Sequence, residues 1–298
     1  MNAPHSGVHA RPEESTLARH LALRDFNHDR LAPGPNTCDV ELQLSLDHEF
    51  RLREARFVEE ERALVLVEAA AAPTSADAFV AWFEALKHHG PGQGDALFPW
   101  LAERATLEEM RWFLGQEVAG EAGFDDLVAL TQVKLPVGPK LELARNYWDE
   151  MGQGRASAMH GPMLAFLAEQ LDLEDAHEPV WESVALGNLM IALATNRRYT
   201  YQSVGALGVI ELTAPGRAAL VNAGLKRLGI AGEARRYFAL HATLDIRHSE
   251  AWNREVLHPL VASDAKLAPL IAEGALMRLR AGARCFERYR SELGLTWH

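Results

Sequence analysis

The segment His241-Ala242-Thr243-Leu244-Asp245-Ile246-Arg247-His248 decides the fold, because it spells an H-x3-D-x2-H pattern inside a long helical stretch. An α-helix turns by about 100° per residue, so the side chains at positions 241, 245 and 248 share one face. Two imidazoles and one carboxylate on a common face suit a first-row transition metal. The spacing therefore predicts a ligand-bearing helix, although a helix with an exposed polar face would show the same pattern.

Apolar residues surround this triplet on more than one side of the helix. They are Tyr237, Phe238, Leu240, Leu244, Ile246 and Trp252. A helix that is apolar on several sides lies in the middle of a bundle, where a buried His or Asp needs a partner or a ligand. Helical periodicity runs through nearly the whole chain without persistent strand alternation, so we predict an all-α helical bundle.

Composition excludes several function classes. The chain has 298 residues and a formal net charge of −11, with no Lys/Arg cluster, which argues against a nucleic-acid partner. The apolar runs contain charges and are too short for a membrane span, and the first 16 residues lack the apolar core of a secretion signal. The two cysteines, Cys38 and Cys285, have no C-x-x-C partner. We therefore expect a cytoplasmic protein with free thiols and no membrane contact.

The chain divides into three predicted regions: a disordered tail over residues 1–16, an N-terminal helical extension over 17–85 and the bundle over 86–298. A capping box at Thr106 and Glu109 predicts the start of one bundle helix. The predicted helices cover residues 17–31, 42–72, 75–89, 107–134, 139–151, 160–172, 179–197, 200–213, 216–228, 232–262 and 264–293.

Four further donors lie in apolar helical surroundings, where acidic and histidine side chains are rare. They are Glu117, Glu150, His160 and Glu211. Each one alone is more typical of a satisfied buried polar residue or an exposed position than of a ligand. Together with the H-x3-D-x2-H helix they form a candidate set of seven metal ligands.

The order of these donors resembles that of the heme-oxygenase-like diiron oxidases and oxygenases, also called iron-containing redox enzymes. The resemblance rests on Gln116-Glu117, on Asn-Tyr-Trp-Asp-Glu-Met-Gly at 146–152, on His160, on Gly208-Val209-Ile210-Glu211 and on the segment 241–248. It covers about residues 86–298. The first 85 residues resemble a variable helical extension that some members use in dimer contacts, which implies a homodimer.

The resemblance implies a heme-oxygenase-like bundle with a non-heme diiron centre that activates O2 as co-substrate. The substrate would be a small organic molecule. The implied reaction is N-oxygenation of an amine, or oxidative decarboxylation or C–C cleavage of an amino or fatty acid. The implied catalytic metal ligands are Glu117, Glu150, His160, Glu211, His241, Asp245 and His248.

Charge supports two metal ions in this set. The four carboxylates carry four negative charges, which two ferrous ions neutralise, so the cluster can be buried without a large desolvation cost. We predict Glu150, His160 and His241 on one iron and Glu117, Asp245 and His248 on the other, with Glu211 bridging or shifting between them. Glu121, Asp125 and Asp126 are candidate hydrogen-bond acceptors for the ligand imidazoles.

The spacing of Glu150 and His160 does not fit one continuous helix. Ten residues place His160 roughly 80° away from the face of Glu150. Gly152, Gly154 and Gly161 lie in this stretch, and glycine weakens a helix. We therefore predict that residues 151–159 are irregular, or partly disordered without metal, and that one iron site forms when this segment folds over it.

Several alternatives stay open at this stage. A ferritin-like diiron protein needs two E-x-x-H pairs, and both matching strings, Glu174…His177 and Glu255…His258, run into prolines that mark helix ends. A metal-free thiaminase-like enzyme of the same fold would use a nucleophilic cysteine such as Cys285. Heme oxygenase would need an axial histidine, for which His88 and His89 are weak candidates. A non-catalytic iron-binding or interaction module would keep the helices without an open cavity.

Overall fold

The computed structural model describes residues 15–34, 39–173 and 178–295. Helices joined by short turns make up these ranges, which contain no strand, so the all-α prediction is confirmed. The first four helices are α1 (Thr16–Leu31), α2 (Val40–Ala63), α3 (Leu66–Ala70) and α4 (Ala76–His89). The others are α5 (Leu97–Glu103), α6 (Leu107–Ala119), α7 (Phe124–Thr131), α8 (Val137–Glu150), α9 (His160–Gln170), α10 (Trp181–Thr195), α11 (Thr200–Arg227), α12 (Arg236–Trp252), α13 (His258–Ser263) and α14 (Leu267–Glu292).

The predicted extension is helical and packs against the bundle. α1 and α2 contact α10, and α4 contacts α11 and α13. Ser15 caps α1 by accepting the backbone N–H of Ala18 at 3.2 Å, so the helix begins within the last residues of the predicted tail. The rest of that tail, residues 1–14, lies outside the described residues, as do Pro35 and Cys38. α4 runs through the predicted boundary at 85–86, which stays a prediction.

The predicted helix over 107–134 is wrong, because two helices occupy this stretch. The capping box is present: Glu109 donates its backbone N–H to Thr106 Oγ1 at 3.3 Å, and its carboxylate accepts the Thr106 N–H at 2.7 Å. α6 nevertheless ends at Ala119, and Gly123 turns the chain into α7 with a φ of 74°. A Cβ atom at Gly120 would lie 3.0 Å from the backbone oxygen of Ser183 in α10. Close packing on α10 therefore accompanies the turn.

Two prolines lie inside continuous helical stretches. We expected a break between 213 and 216, but α11 continues through Pro215, whose side chain is buried. The predicted single helix over 232–262 begins later and consists of α12, a π-helical turn at Asn253–Leu257 and α13. Pro259 follows that turn, and the wider π geometry accommodates a ring that would clash with the carbonyl four residues earlier in an α-helix.

α11 and α14 cross at backbone contact in the centre of the bundle. A Cβ atom at Gly205 of α11 would lie 1.9 Å from the carbonyl oxygen of Ile271, and one at Gly274 of α14 would lie 1.7 Å from that of Gln202. Real side chains never approach this closely, so only glycine fits at either position. Since α11 also packs along α12, this crossing fixes the position of the helices that carry four of the candidate ligands.

One helical stretch, Arg197–Arg227, is long and apolar enough to cross a membrane by length and composition alone. Its apolar window is 61% buried inside the bundle. A core helix of a bundle has the same two properties, so we interpret α11 as the central core helix.

Candidate metal centre

Four helices bring six of the seven predicted ligands together in the core. Glu150 ends α8, His160 begins α9 and Glu211 lies in the middle of α11. α12 contributes His241, Asp245 and His248, which all lie on its buried face. Each of the six residues is 2 to 8% exposed. The predicted common face of the H-x3-D-x2-H helix is confirmed, whereas the ligand roles of these residues stay predictions.

The first group of donors consists of Glu150, His160 and His241. His160 Nδ1 lies 3.0 Å from Glu150 Oε2 and 3.1 Å from His241 Nε2. Glu150 Oε2 lies 3.8 Å from His241 Nε2. Metal–nitrogen and metal–oxygen bonds are about 2.0–2.2 Å long, so donors 3 to 4 Å apart can surround one ion.

The second group consists of Glu150, Glu211 and His248. His248 Nδ1 lies 3.7 Å from Glu150 Oε1 and 3.5 Å from Glu211 Oε2. This nitrogen is buried and has no hydrogen-bond partner within the described part of the chain. A buried polar atom without a partner is costly, so a nitrogen aimed at two carboxylates fits a bound cation.

Glu150 belongs to both groups, since its Oε2 faces the first and its Oε1 faces the second. This arrangement differs from our predicted partition, which gave the shared position to Glu211. In the structure Glu211 lies with His248, and its Oε1 accepts a hydrogen bond from Asn146 Nδ2 at 2.5 Å. The difference arises because Glu150 is the last residue of α8, where it faces both His160 of α9 and His248 of α12.

Hydrogen bonds fix the orientation of the imidazoles. His241 Nδ1 lies 2.7 Å from the backbone oxygen of Tyr237, which can only accept, so Nδ1 carries the proton and Nε2 faces the first group. His248 Nε2 donates to Asp149 Oδ2 at 3.2 Å, which leaves Nδ1 for the second group. His160 Nε2 lies 3.2 Å from the Tyr237 hydroxyl. Such contacts hold metal ligands in position before the ion arrives.

Some of these supporting residues were predicted and others were missed. Glu121, one of three predicted acceptors, lies 3.7 Å from His160 Nε2. Asp125 interacts with His160 only through its charge, and the exposed Asp126 shows no contact with the ligand set among the described residues. Tyr237 and Asp149 were missed, although each carries a signal: one precedes His241 by one helical turn, and the other is adjacent to Glu150.

Asp245 and Glu117 lie in neither group. Asp245 lines the cavity beside them, and its Oδ1 is buried without a hydrogen-bond partner in the described chain. Glu117 lines the same cavity and interacts electrostatically with Arg217 and Arg278. The structure therefore places Glu117 with two arginines rather than with the imidazoles, and its role as a ligand stays a prediction.

The segment between α8 and α9 is irregular, as predicted. Two short 3-10 turns, Gly152–Gly154 and Ala156–Ala158, replace a continuous helix. Gln153 has a φ of 54°, and a Cβ atom at Gly152 would lie 2.5 Å from the carbonyl carbon of Ala158. This compact double turn reorients the chain, so Glu150 and His160 face the same point despite their awkward spacing.

Among the described residues, the second E-x-x-H string and the candidate heme histidines belong to neither donor group. Glu255 pairs with Arg254 and His258 pairs with Asp77, both at exposed positions, so this E-x-x-H string is a structural feature. Glu174 and His177 lie outside the described residues. His88 and His89 are exposed at the end of α4 and do not line the cavity at the candidate centre.

Burial and neighbouring charges shift several pKa values in the metal-free centre. Burial and the charges of Glu211 and Glu150 raise the pKa of Asp245 to about 10. Burial opposes a charged imidazole, but the carboxylates of Glu121 and Glu150 outweigh it and raise the pKa of His160 to about 10. In the same way Glu211 and Asp149 raise the pKa of His248 to about 9 against the effect of burial. The metal-free centre therefore holds protons where metal ions would bind.

These shifts predict opposite pH responses for metal-free and metal-loaded protein. In the folded protein His160 and His248 keep their protons above pH 6.5, which is the pKa of a histidine in the unfolded chain. Below pH 6.5 the two imidazoles contribute their full stabilisation, and this contribution is lost as the pH rises through about 9 to 10. The raised pKa of Asp245 likewise makes the folded state less stable as the pH rises. We expect the thermal midpoint of chelator-treated protein to fall from pH 6.5 to 9, measured by differential scanning fluorimetry.

The Mn(II)-loaded protein is the control for that measurement. Bound metal replaces these protons, and metal affinity rises as the ligands deprotonate, so the stabilisation by Mn(II) should grow over the same pH range. A metal-free midpoint that rises between pH 6.5 and 9 would contradict the assignment of protons to these groups.

A cavity of about 170 Å³ adjoins both groups. Its walls combine candidate ligands with apolar side chains, among them Phe113, Phe124, Met190 and Ile210. Apolar walls exclude water and leave room for a small organic molecule beside the donors.

Comparison with known proteins finds a family model that matches the central part of the chain. A protein-family model described as "Iron-containing redox enzyme" matches residues 111–283, a range that includes all seven predicted ligands. No curated protein matches the chain.

Proposed function

Because the chain belongs to the family of iron-containing redox enzymes, we propose that it is a non-heme diiron oxidase or oxygenase that activates O2 to oxidise a small organic substrate. The observation that carries this proposal is the pair of donor groups that share Glu150. A carboxylate with one oxygen toward each group is suited to hold two ions close together.

Charge also supports two ions. Three buried carboxylates lie in or beside the donor groups: Glu150, Glu211 and Asp245. Two more, Asp149 and Glu121, lie next to the imidazoles of His248 and His160, so the negative charge exceeds what one ferrous ion neutralises. A balanced cluster can be buried at low cost, whereas one ion would leave carboxylates uncompensated.

Bound ferrous ions would supply the electrons that reduce O2. The residues of the chain would orient the ligand imidazoles, exclude water and hold the substrate. Tyr237 and Asp149 hold His241 and His248 with the correct nitrogen toward the metal groups. The apolar cavity wall excludes water and holds the substrate beside the donors, which limits side reactions.

The metal-free, thiaminase-like alternative is disfavoured by the position of Cys285. This thiol is 1% exposed and does not line the cavity beside the candidate ligands. Burial raises its pKa to about 12, so it is poorly activated as a nucleophile. A non-catalytic iron-binding module does not account for the cavity, and it would bind iron without consuming O2.

Anaerobic loading with Fe(II) followed by an O2 pulse tests the proposal. We expect about two irons per chain by metal analysis, and O2 uptake coupled to oxidation of the iron at the loaded centre. Chelator-treated protein and protein loaded with Zn(II) are the controls and should consume no O2. One iron per chain, or two irons without O2 uptake, would contradict a diiron oxidase.

A further inference from the structure

Two arginines line the cavity beside the candidate metal centre. Arg217 lies on α11 and Arg278 on α14. Both are half-buried by surface area and face the cavity rather than the outer surface. Burial and the charge of Arg278 lower the pKa of Arg217 to about 10, and burial also lowers the pKa of Arg278. Two neighbouring cations that are half-buried in a cavity wall repel each other, and a bound anion would offset this repulsion.

The surrounding structure holds each guanidinium in place. Arg217 lies over two adjacent aromatic rings, with Cζ 5.8 Å from the Phe98 centroid and 5.5 Å from that of Phe286. Its Nη2 donates to Thr213 Oγ1 at 3.1 Å. Gly282 leaves space for Arg278, because a Cβ atom there would lie 2.8 Å from Arg278 Nη1. Stacking and fitted space orient the two cations toward the cavity.

The carboxylates near this pair act on it from a distance. Glu117 interacts electrostatically with both arginines and Glu121 with Arg278, while Glu121 also lies 3.7 Å from His160 Nε2. Neither arginine forms an ion pair within 4.0 Å in the described ranges, and Arg278 Nε is buried without a hydrogen-bond partner there. Both guanidinium groups therefore keep N–H donors that a ligand in the cavity can use.

We propose that Arg217 and Arg278 form an anion-binding subsite that holds the carboxylate of a substrate in the cavity. This inference rests on the proposed function, because it names the substrate class of the same site. A planar guanidinium binds a carboxylate through paired hydrogen bonds, and neither guanidinium is already paired with a contacting carboxylate in the described residues. Apolar side chains such as Ile210 and Ala214 also line the cavity and would contact the rest of the substrate.

The subsite also separates the anchored end of the substrate from the reacting end. Arg217 follows Glu211 by six residues on α11, which corresponds to an axial rise of about 9 Å. No described contact joins either arginine to the two donor groups. The oxidised atom therefore lies several bonds away from the carboxylate.

Four other arginines do not fill this role. Arg145 pairs with Glu142, and Arg198 pairs with Glu59 at the surface. Arg197 donates to backbone carbonyls that include Leu130 O at 3.1 Å. None of these lines the cavity, and neither does Arg247.

Binding of pentanoate tests the proposal without turnover. Calorimetric titrations of the full chain, both chelator-treated and Mn(II)-loaded, should show pentanoate binding, whereas the uncharged pentanamide and the cation pentylammonium should bind at least 10-fold more weakly. Arg278→Gln and Arg217→Gln should each weaken pentanoate binding by about 10-fold or more. Arg280→Gln, an exposed position on the same helix, should leave it unchanged.

The variants need a check that they still fold, because both arginines are packed in the core. Arg278→Lys keeps the charge but not the paired geometry, and it should bind pentanoate with an affinity between those of the wild type and Arg278→Gln. Equal binding of pentanamide, or wild-type pentanoate affinity in Arg278→Gln and Arg217→Gln, would overturn the subsite. Since neither preparation contains iron, pentanoate binding without O2 uptake by the Fe(II) protein would contradict only the proposed function.

Discussion

Glu150→Gln is expected to weaken iron binding by about 100-fold or more at both donor groups, and O2 uptake should fall with the iron content. The reason is the shared position of Glu150, whose two oxygens face His160 and His248 on opposite sides. Glutamine keeps the size of the side chain but removes the charge and one acceptor oxygen. Anaerobic Fe(II) titration followed by metal analysis measures the loss.

Glu211→Gln is the matched control, because Glu211 belongs to the second group only. We expect this variant to keep about one iron per chain. If it loses both irons while Glu150→Gln keeps one, the shared carboxylate is Glu211, as the sequence first predicted. Thermal unfolding of the two metal-free variants establishes that neither effect comes from loss of the fold.

Gly274→Ala is expected to destabilise the protein by about 1–3 kcal/mol or more, the scale of overpacking in a close-packed core. The added methyl group would lie 1.7 Å from the carbonyl oxygen of Gln202, which belongs to a helix backbone and cannot rotate away. α11 and α14 must therefore move apart, with loss of packing along their whole contact. Urea unfolding followed by circular dichroism measures the change in the free energy of unfolding.

Gly216→Ala is the control for this effect. Gly216 also lies in α11, but a Cβ atom there meets nothing within 4 Å. Alanine is the better helix former by roughly 0.5–1 kcal/mol, so this variant should be slightly more stable than the wild type. Equal stabilities of Gly274→Ala and Gly216→Ala would show that the two helices do not cross at backbone contact.

Local sequence patterns predicted the helices and most of the candidate centre. Spacing alone placed His241, Asp245 and His248 on one face, since helical geometry fixes which positions share a face. Glycine content similarly predicted the irregular segment 151–159. These features depend on residues close together in the chain, and for that reason they could be found without coordinates.

The features that were missed depend on contacts between distant segments. The turn after Ala119 goes with the close approach of Gly120 and Gly187, whose added Cβ atom would lie 3.0 Å from the Gly120 oxygen. Burial in the core lets α11 continue through Pro215, against the local rule. Arg217 and Arg278 become neighbours only when α11 and α14 cross, and an isolated arginine in a sequence is normally read as a surface residue.

The crossing of α11 and α14 divides the candidate centre into a fixed side and an adjustable side. Glu211 and the α12 ligands belong to helices clamped around Gly205 and Gly274. Glu150 and His160 adjoin the glycine-containing double turn, which packs mainly on the ends of α8 and α9 and takes no part in the crossing. Ions would therefore enter and leave on the side of residues 151–159, and the rate of iron exchange would depend on how readily that turn opens, independently of how tightly the assembled ligands hold the metal.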